Sequence, residues 1–268
     1  MCPMPLDAGF LLDGRYRIER LHKLGSMGAV YAAYDPATKK KVAVKENLIA
    51  GPEAQRAFEA EADHLACLSH PNVPRIFDFL AFVDEGQYYV MQFIEGDASD
   101  QWVSRTRPSP SLIIHALEGV FLALQYLHRS PFPVVHRDLE PANVIVQEDF
   151  TSFLVDFGSA RTLQPTEATQ YPPLEALDDQ SSLATTLFAL LTARTPDVSR
   201  HSSHASESVV SARALNPAVP KHVDEALRRA LEVNPVNRYL DIYAFWHALT
   251  WTPGAPNNSM EPTRPARR

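Results

Sequence analysis

"HRDLEPANVIV", His136 to Val146, decides the fold. Asp138 and Glu140 stand two residues apart, Pro141 follows, and Asn143 comes before an apolar run. Thirteen residues after Asn143, "VDFG" sets a second acidic group, Asp156, at what reads as the end of a strand. Taken alone, "DFG" is equally at home in an ordinary strand end and turn.

Upstream, "RYRIERL", "AVYAAYD" and "KKVAVKENL" alternate as strands do, and "DPATKK" between the last two is a hairpin signal. "LGSMGAVY" supplies Gly25-x-x-Gly28, which lets backbone N–H groups approach an anionic ligand or simply makes a Gly-containing turn. From Glu53 to Leu68, Phe58, Ala62, Leu65 and Leu68 share one helical face, and "SHPN" ends that helix. "RIFDFLAFV" and "QYYVMQFI" add two strands around "DEG". Lys45 at a strand end and Glu61 on the helix are, by themselves, ordinary solvated charges.

After Gly96 the pattern turns helical. "SPSLIIHALEGVFLALQYLHRS" reads as one long helix, and short strands follow around "VIV" and "SFLVDFG". Helices are expected over "DDQSSLATTLFALLT", "VPKHVDEALRRALEV" and "YLDIYAFWHALT". "DVSRHSSHASESVV" reads as an exposed Ser-rich loop, and the Pro-rich tail 251–268 as disordered.

The composition, 45% hydrophobic and 21% charged over 268 residues, supports one large domain or two lobes. A net charge of −7 argues against a nucleic-acid partner. The N-terminus lacks the pattern of a secretory signal, and "LATTLFALLT" is about half the length that crosses a bilayer. No membrane span and a reducing, cytoplasmic setting are therefore expected, with Cys2 and Cys67 too far apart in sequence to form a CxxC metal or redox pair.

Order and spacing bind these signals together. Gly28, Lys45, Glu61, Asp138, Asn143 and Asp156 follow one another in loop, strand, helix, loop and strand end. This succession resembles the protein kinase family, with the flavour of bacterial Hanks-type serine/threonine kinases. "RYRIERL", "EADHLACLSHPNVPRIFD", "VMQFIEG" and "ALNPAVPKHVDEALRRALEVNPVNRY" carry the likeness from about residue 10 to 250. The implied fold is α+β and bilobal: a small β-rich N-lobe with one helix (about 10–94) and a larger, mostly helical C-lobe (about 95–250).

The resemblance implies roles for single residues. Gly25 and Gly28 would cover the phosphates of ATP, with Val30 and Ala43 above the adenine and Ile145 below it. Gln92 to Ile94 would offer hinge backbone to the adenine, and Met91 would guard the back pocket. Lys45, held by Glu61, would contact the α- and β-phosphates. Asp138 would orient the substrate hydroxyl, and Asn143 and Asp156 would hold Mg²⁺. Leu65, His136 and Phe157 would link the lobes above Asp179, with Arg238 supporting the large lobe. The implied reaction moves the γ-phosphoryl of ATP to a Ser or Thr of a protein substrate, and the oligomeric state stays open.

Four departures bear on that reading. Glu140 stands where the family has a Lys that neutralises the transferring phosphoryl group. Two unit charges ~4 Å apart at an effective dielectric of ~20 interact by roughly 4 kcal/mol, and each ~1.4 kcal/mol is tenfold in rate. Lys23 replaces the first glycine of the loop; it is solvated, restores charge near the phosphates, or pairs with Glu140. Only 23 residues separate Asp156 from Asp179, a shortened segment in which Thr169 and Glu175 match the usual pattern loosely. Thr162, Thr166 and Thr169 are candidate phosphorylation sites there, with Arg137 as a cation to meet the phosphate. Ala184 replaces a glycine. These departures keep two alternatives open, a pseudokinase that binds ATP with impaired transfer and a small-molecule phosphotransferase.

Overall fold

The apolar alternation of the first third folds into an antiparallel sheet of six strands. Strands β1 (Leu11–Leu12), β2 (Tyr16–Leu24), β3 (Gly28–Asp35) and β4 (Lys40–Asn47) precede helix α1 (Pro52–Cys67), and β5 (Ile76–Phe82) and β6 (Gly86–Gln92) follow it. The spatial order is β1-β2-β3-β4-β6-β5. The computed structural model describes residues 6–25, 28–49, 51–82, 86–130, 133–163, 175–196 and 210–251. Thr166, Thr169, most of the Ser-rich loop and the Pro-rich tail after Trp251 lie outside the described residues.

Period-two alternation gives the sheet two different faces. Tyr31, Val44, Tyr88 and Val90 fill a small core on the outer face. Lys45 and Tyr89, one residue further along their strands, point the other way and are register partners. The β3–β4 hairpin is fixed at its turn. There the buried Asp35 carboxylate accepts from Ala37 N–H (3.0 Å), Thr38 Oγ1 (2.9 Å) and the Arg15 guanidinium (2.7 Å). Arg15 and these turn donors hold the Asp35 carboxyl far below the usual carboxylate range.

Helix α1 starts with Pro52 in its first turn, where the missing N–H costs nothing. Phe58, Ala62 and Leu65 are buried along one face. Glu61 is three residues from Phe58 and four from Leu65, so helical spacing turns it inward with them.

Gly96 joins the lobes at φ +148°, and a Cβ there would sit 2.4 Å from the Val146 carbonyl oxygen, so no other residue fits. The large lobe then runs β7 (Asp97–Ala98), α2 (Ser99–Thr106), α3 (Pro110–Ala116), α4 (Glu118–Arg129), β8 (Val134–Val135), β9 (Val144–Val146), β10 (Ser152–Leu154), β11 (Arg161–Thr162), α5 (Ala176–Thr192), α6 (Ala212–Leu215), α7 (Lys221–Ala230) and α8 (Ile242–Thr250). The expected single helix over 109–130 is two, separated at Leu117, whose ψ of 2° leaves the helical range. Helix α2, which buries its own Trp102, was not evident from the sequence. The strand expected through "SFLVDFG" stops at Leu154, because Asp156 takes a left-handed φ of +65°.

By length and composition the stretch Pro110–Arg129 could cross a membrane, yet half of it is buried inside the protein. Phe121 there stacks on Trp246 of α8, with ring centroids 4.8 Å apart. Ala184 lies fully buried in α5. Arg238, 7% exposed, ties the start of α5 to the end of α7 by donating to the carbonyls of Leu177 (3.0 Å) and Glu232 (2.7 Å).

Candidate active site

Three elements converge on one buried ammonium. Lys45 of β4 reaches Glu61 Oε1 of α1 at 2.7 Å and Asp156 Oδ1 at 3.0 Å. Burial alone would lower the Lys45 pKa, but Glu61 and then Asp156 hold it above the ordinary value, so the group stays charged. Burial likewise pushes the Asp156 carboxyl up, and Lys45 and Lys23 more than offset this. Tyr89 donates its phenol to Glu61 Oε1 at 2.7 Å. Burial and then the Glu61 carboxylate raise the Tyr89 pKa well above the ordinary phenol value, which keeps it a donor. Sequence reasoning passed over Tyr89; its signal was the alternation that sets it two residues before Met91, on the face of Lys45.

The loop at 136–143 is held from below by Asp179. One of its oxygens accepts from His136 N–H (2.9 Å) and His128 Nε2 (2.8 Å), and the other from Arg137 N–H (2.8 Å). Burial raises the Asp179 carboxyl, yet His128 and the other donors bring it below its ordinary value. Arg137 adopts φ +67°, a left-handed conformation that costs a non-glycine residue of order 1 kcal/mol or more. The carboxylate grips the two amides that lead into that strain and so delivers Asp138 to the cleft. His136 packs edge-on against Phe157, ring centroids 4.9 Å apart, and Leu65 and Phe157 belong to one continuous core. Burial keeps His136 below its ordinary pKa.

Asn143 Nδ2 donates to the Asp138 carbonyl at 3.0 Å, which turns its Oδ1 toward the cleft. Lys23 Nζ donates to that Oδ1 at 3.1 Å and lies 3.6 Å from Asp156 Oδ2. Lys23 therefore meets Asn143 and Asp156 rather than Glu140, whose exposed side chain shares only the cavity wall with it. Asn143 Oδ1 and the Asp156 carboxylate are hard oxygen donors, the set that Mg²⁺ takes beside substrate phosphates. A cation already sits on both, so these residues fit the ion. No cluster of three or more His, Cys, Asp or Glu suited to a metal occurs among the described residues.

A cavity of about 250 Å³ opens over these groups, lined by Gly25, Gly28, Val30, Lys45, Glu61, Asp138, Asn143 and Asp156. It extends under the glycine loop to Asn47, Ala54 and Phe58, which the sequence did not suggest. Gly28 has a steric reason as well: a Cβ would meet the Glu46 carbonyl oxygen at 2.3 Å. Ala43, Met91, Gln92, Ile94 and Ile145 do not line this cavity. Ala43 and Met91 are register partners on β4 and β6, and the Gln92 N–H is taken by the Arg75 carbonyl at 2.8 Å.

The chain matches the protein kinase domain family over residues 18–176 and belongs to that family. It is 30% identical over 257 residues to the serine/threonine-protein kinase PrkC of Bacillus subtilis, a match covering 86% of this chain and 39% of that protein. It is 29% identical over 258 residues to the serine/threonine-protein kinase PknA of Mycobacterium tuberculosis, covering 86% of this chain and 59% of that protein. The chain thus spans well under two thirds of the length of these relatives. Among solved structures it is similar to a double mutant of the Mycobacterium tuberculosis PknI kinase domain. The TM-score there is 0.71 at 26% identity, with 92% of this chain and 98% of that one covered.

Proposed function

We propose that residues 10–250 form a serine/threonine protein kinase domain that transfers the γ-phosphoryl of ATP to a hydroxyl of a protein substrate. The observation that carries this reading is the closed set of contacts from Lys45 to Glu61 (2.7 Å) and Asp156 (3.0 Å). This set fixes a positive charge against Asp156, one of the two proposed metal ligands. In this reading Lys45 steadies the α- and β-phosphates and Asp138 orients the acceptor hydroxyl. Mg²⁺, held by Asn143 and Asp156, supplies neutralisation of the phosphate charge. Gly25, Gly28 and Val30 roof the nucleotide, while Ala43, Met91, Gln92, Ile94 and Ile145 receive the adenine. A cytoplasmic setting accords with Cys67, which is free and exposed.

Glu140 favours slow transfer, since an exposed carboxylate faces the cavity that receives the phosphates. The test is autophosphorylation and generic-substrate phosphorylation with labelled ATP and Mg²⁺, comparing the natural chain with Asp138→Asn. Turnover lost in the variant supports a working kinase. ATP binding with equal, background labelling in both proteins would leave the chain a nucleotide-binding scaffold.

A further inference from the structure

Strand β2 carries an irregularity that decides where Lys23 points. Its register with β3 slips between Leu21 and Lys23, with His22 as the extra residue. Leu21 lies opposite Tyr31, which is buried in the outer core of the small lobe. Plain alternation from Leu21 would send Lys23 to that same outer face. The bulge instead sets Lys23 opposite Val30, which lines the cleft, and directly opposed residues share a face.

So aimed, the ammonium lands between the two proposed metal ligands. It donates to Asn143 Oδ1 at 3.1 Å and lies 3.6 Å from Asp156 Oδ2. Both partners are oriented for it. Asn143 is held by the bond from its Nδ2 to the Asp138 carbonyl, and Asp156 has its other oxygen on Lys45 at 3.0 Å. The Lys23 side chain is 43% exposed, so its arm is free to swing toward solvent at small cost.

We propose that Lys23 is a tethered cation occupying the metal position of the nucleotide-free cleft, so that Mg²⁺ has to displace it from Asn143 and Asp156. The inference rests on reading the cleft as an ATP–Mg²⁺ site. It makes metal binding competitive with an internal ion pair. A metal whose site is open in only a tenth of the molecules binds roughly tenfold more weakly than to a fully open site.

The experiment has two arms, neither of which reads turnover. In the first, Mn²⁺ is titrated into the nucleotide-free full chain and free Mn²⁺ is followed by electron paramagnetic resonance. In the second, ADP binding is measured by calorimetry across a series of Mg²⁺ concentrations starting in chelator. Each is run on the natural protein, Lys23→Met, which keeps the aliphatic stem, and Lys23→Arg, which keeps the charge. The expected result is a metal midpoint about tenfold lower in Lys23→Met, with Lys23→Arg close to the natural protein. Equal midpoints in all three proteins overturn the proposal while ADP binding leaves the ATP site standing. Tighter Mn²⁺ binding in Lys23→Met with no ADP binding in any protein does the reverse: it upholds the tethered cation and removes the ATP reading.

Discussion

Tyr89 and Glu61 are joined by a 2.7 Å hydrogen bond to the same carboxylate oxygen that holds Lys45. The phenol therefore sets the position of Glu61 from the sheet side while the ammonium pulls from the cleft. Tyr89→Phe keeps the ring packed against Phe58, 5.0 Å away, and removes only the donor. A hydrogen bond to a charged group contributes about 1.5–3 kcal/mol. If about half of that reaches the transition state, kcat/KM falls roughly three- to tenfold. Unchanged steady-state kinetics in this variant would show that Lys45 alone positions Glu61.

Asp179→Asn replaces one acceptor oxygen by an amide donor facing buried N–H groups. The expected cost is about 3 kcal/mol, as for breaking a buried charge network. At roughly 2–4 °C per kcal/mol for a chain of this size, the melting temperature drops by about 6–12 °C. Scanning calorimetry checks this, and a drop of under a degree would mean the loop holds Arg137 in its left-handed conformation without help.

Glu140→Lys is expected to speed transfer. The Coulomb change near the phosphates is large on paper, but the side chain is exposed and water screens it. We expect at least a tenfold gain in kcat, about 1.4 kcal/mol, with little change in nucleotide affinity. Initial rates at saturating ATP measure it, and a kcat at or below that of the natural protein refutes it.

Acid stability should respond to His136. Burial lowers its folded pKa below the ordinary 6.5, so the unfolded chain takes up a proton that the folded chain refuses. Stability therefore falls as pH drops from about 6.5 toward the folded value. Asp156 and Asp179, whose folded pKa values are lowered, withdraw their contributions only below the ordinary carboxylate range. Melting temperatures between pH 7 and pH 5 should slope less steeply for His136→Phe, and an identical slope would assign the acid sensitivity elsewhere.

The order of Gly28, Lys45, Glu61, Asp138, Asn143 and Asp156 was enough to predict the bilobal fold through the family it resembles, because the strand, helix and loop that carry them are elements that local periodicity marks well. Glu61 by itself read as a solvated charge, although its helical spacing from Phe58 and Leu65 was the signal that it turns inward. The aim of Lys23 was not legible, since a bulge shifts parity without leaving a residue type behind. Nor was the break at Leu117, where an apolar residue departs from helical angles under tertiary packing rather than at a Gly or Pro. Tyr89 was visible as a strand residue, but its bond to Glu61 depends on the register between β4 and β6, which only the assembled sheet defines.

Lys23 hangs from a strand of the small lobe, and its partners Asn143 and Asp156 belong to the large one. The contact is thus a clasp across the mouth of the cleft, parallel to the one Lys45 makes with Asp156. If the cleft takes a nucleotide as proposed, the ligand meets this clasp first and has to turn the Lys23 arm aside, so the clasp would govern how fast ligand is captured as well as how tightly metal is kept. Stopped-flow association of a fluorescent ADP analogue should accordingly be faster in Lys23→Met, and equal rates would mean that the Lys23 arm swings clear faster than ligand arrives.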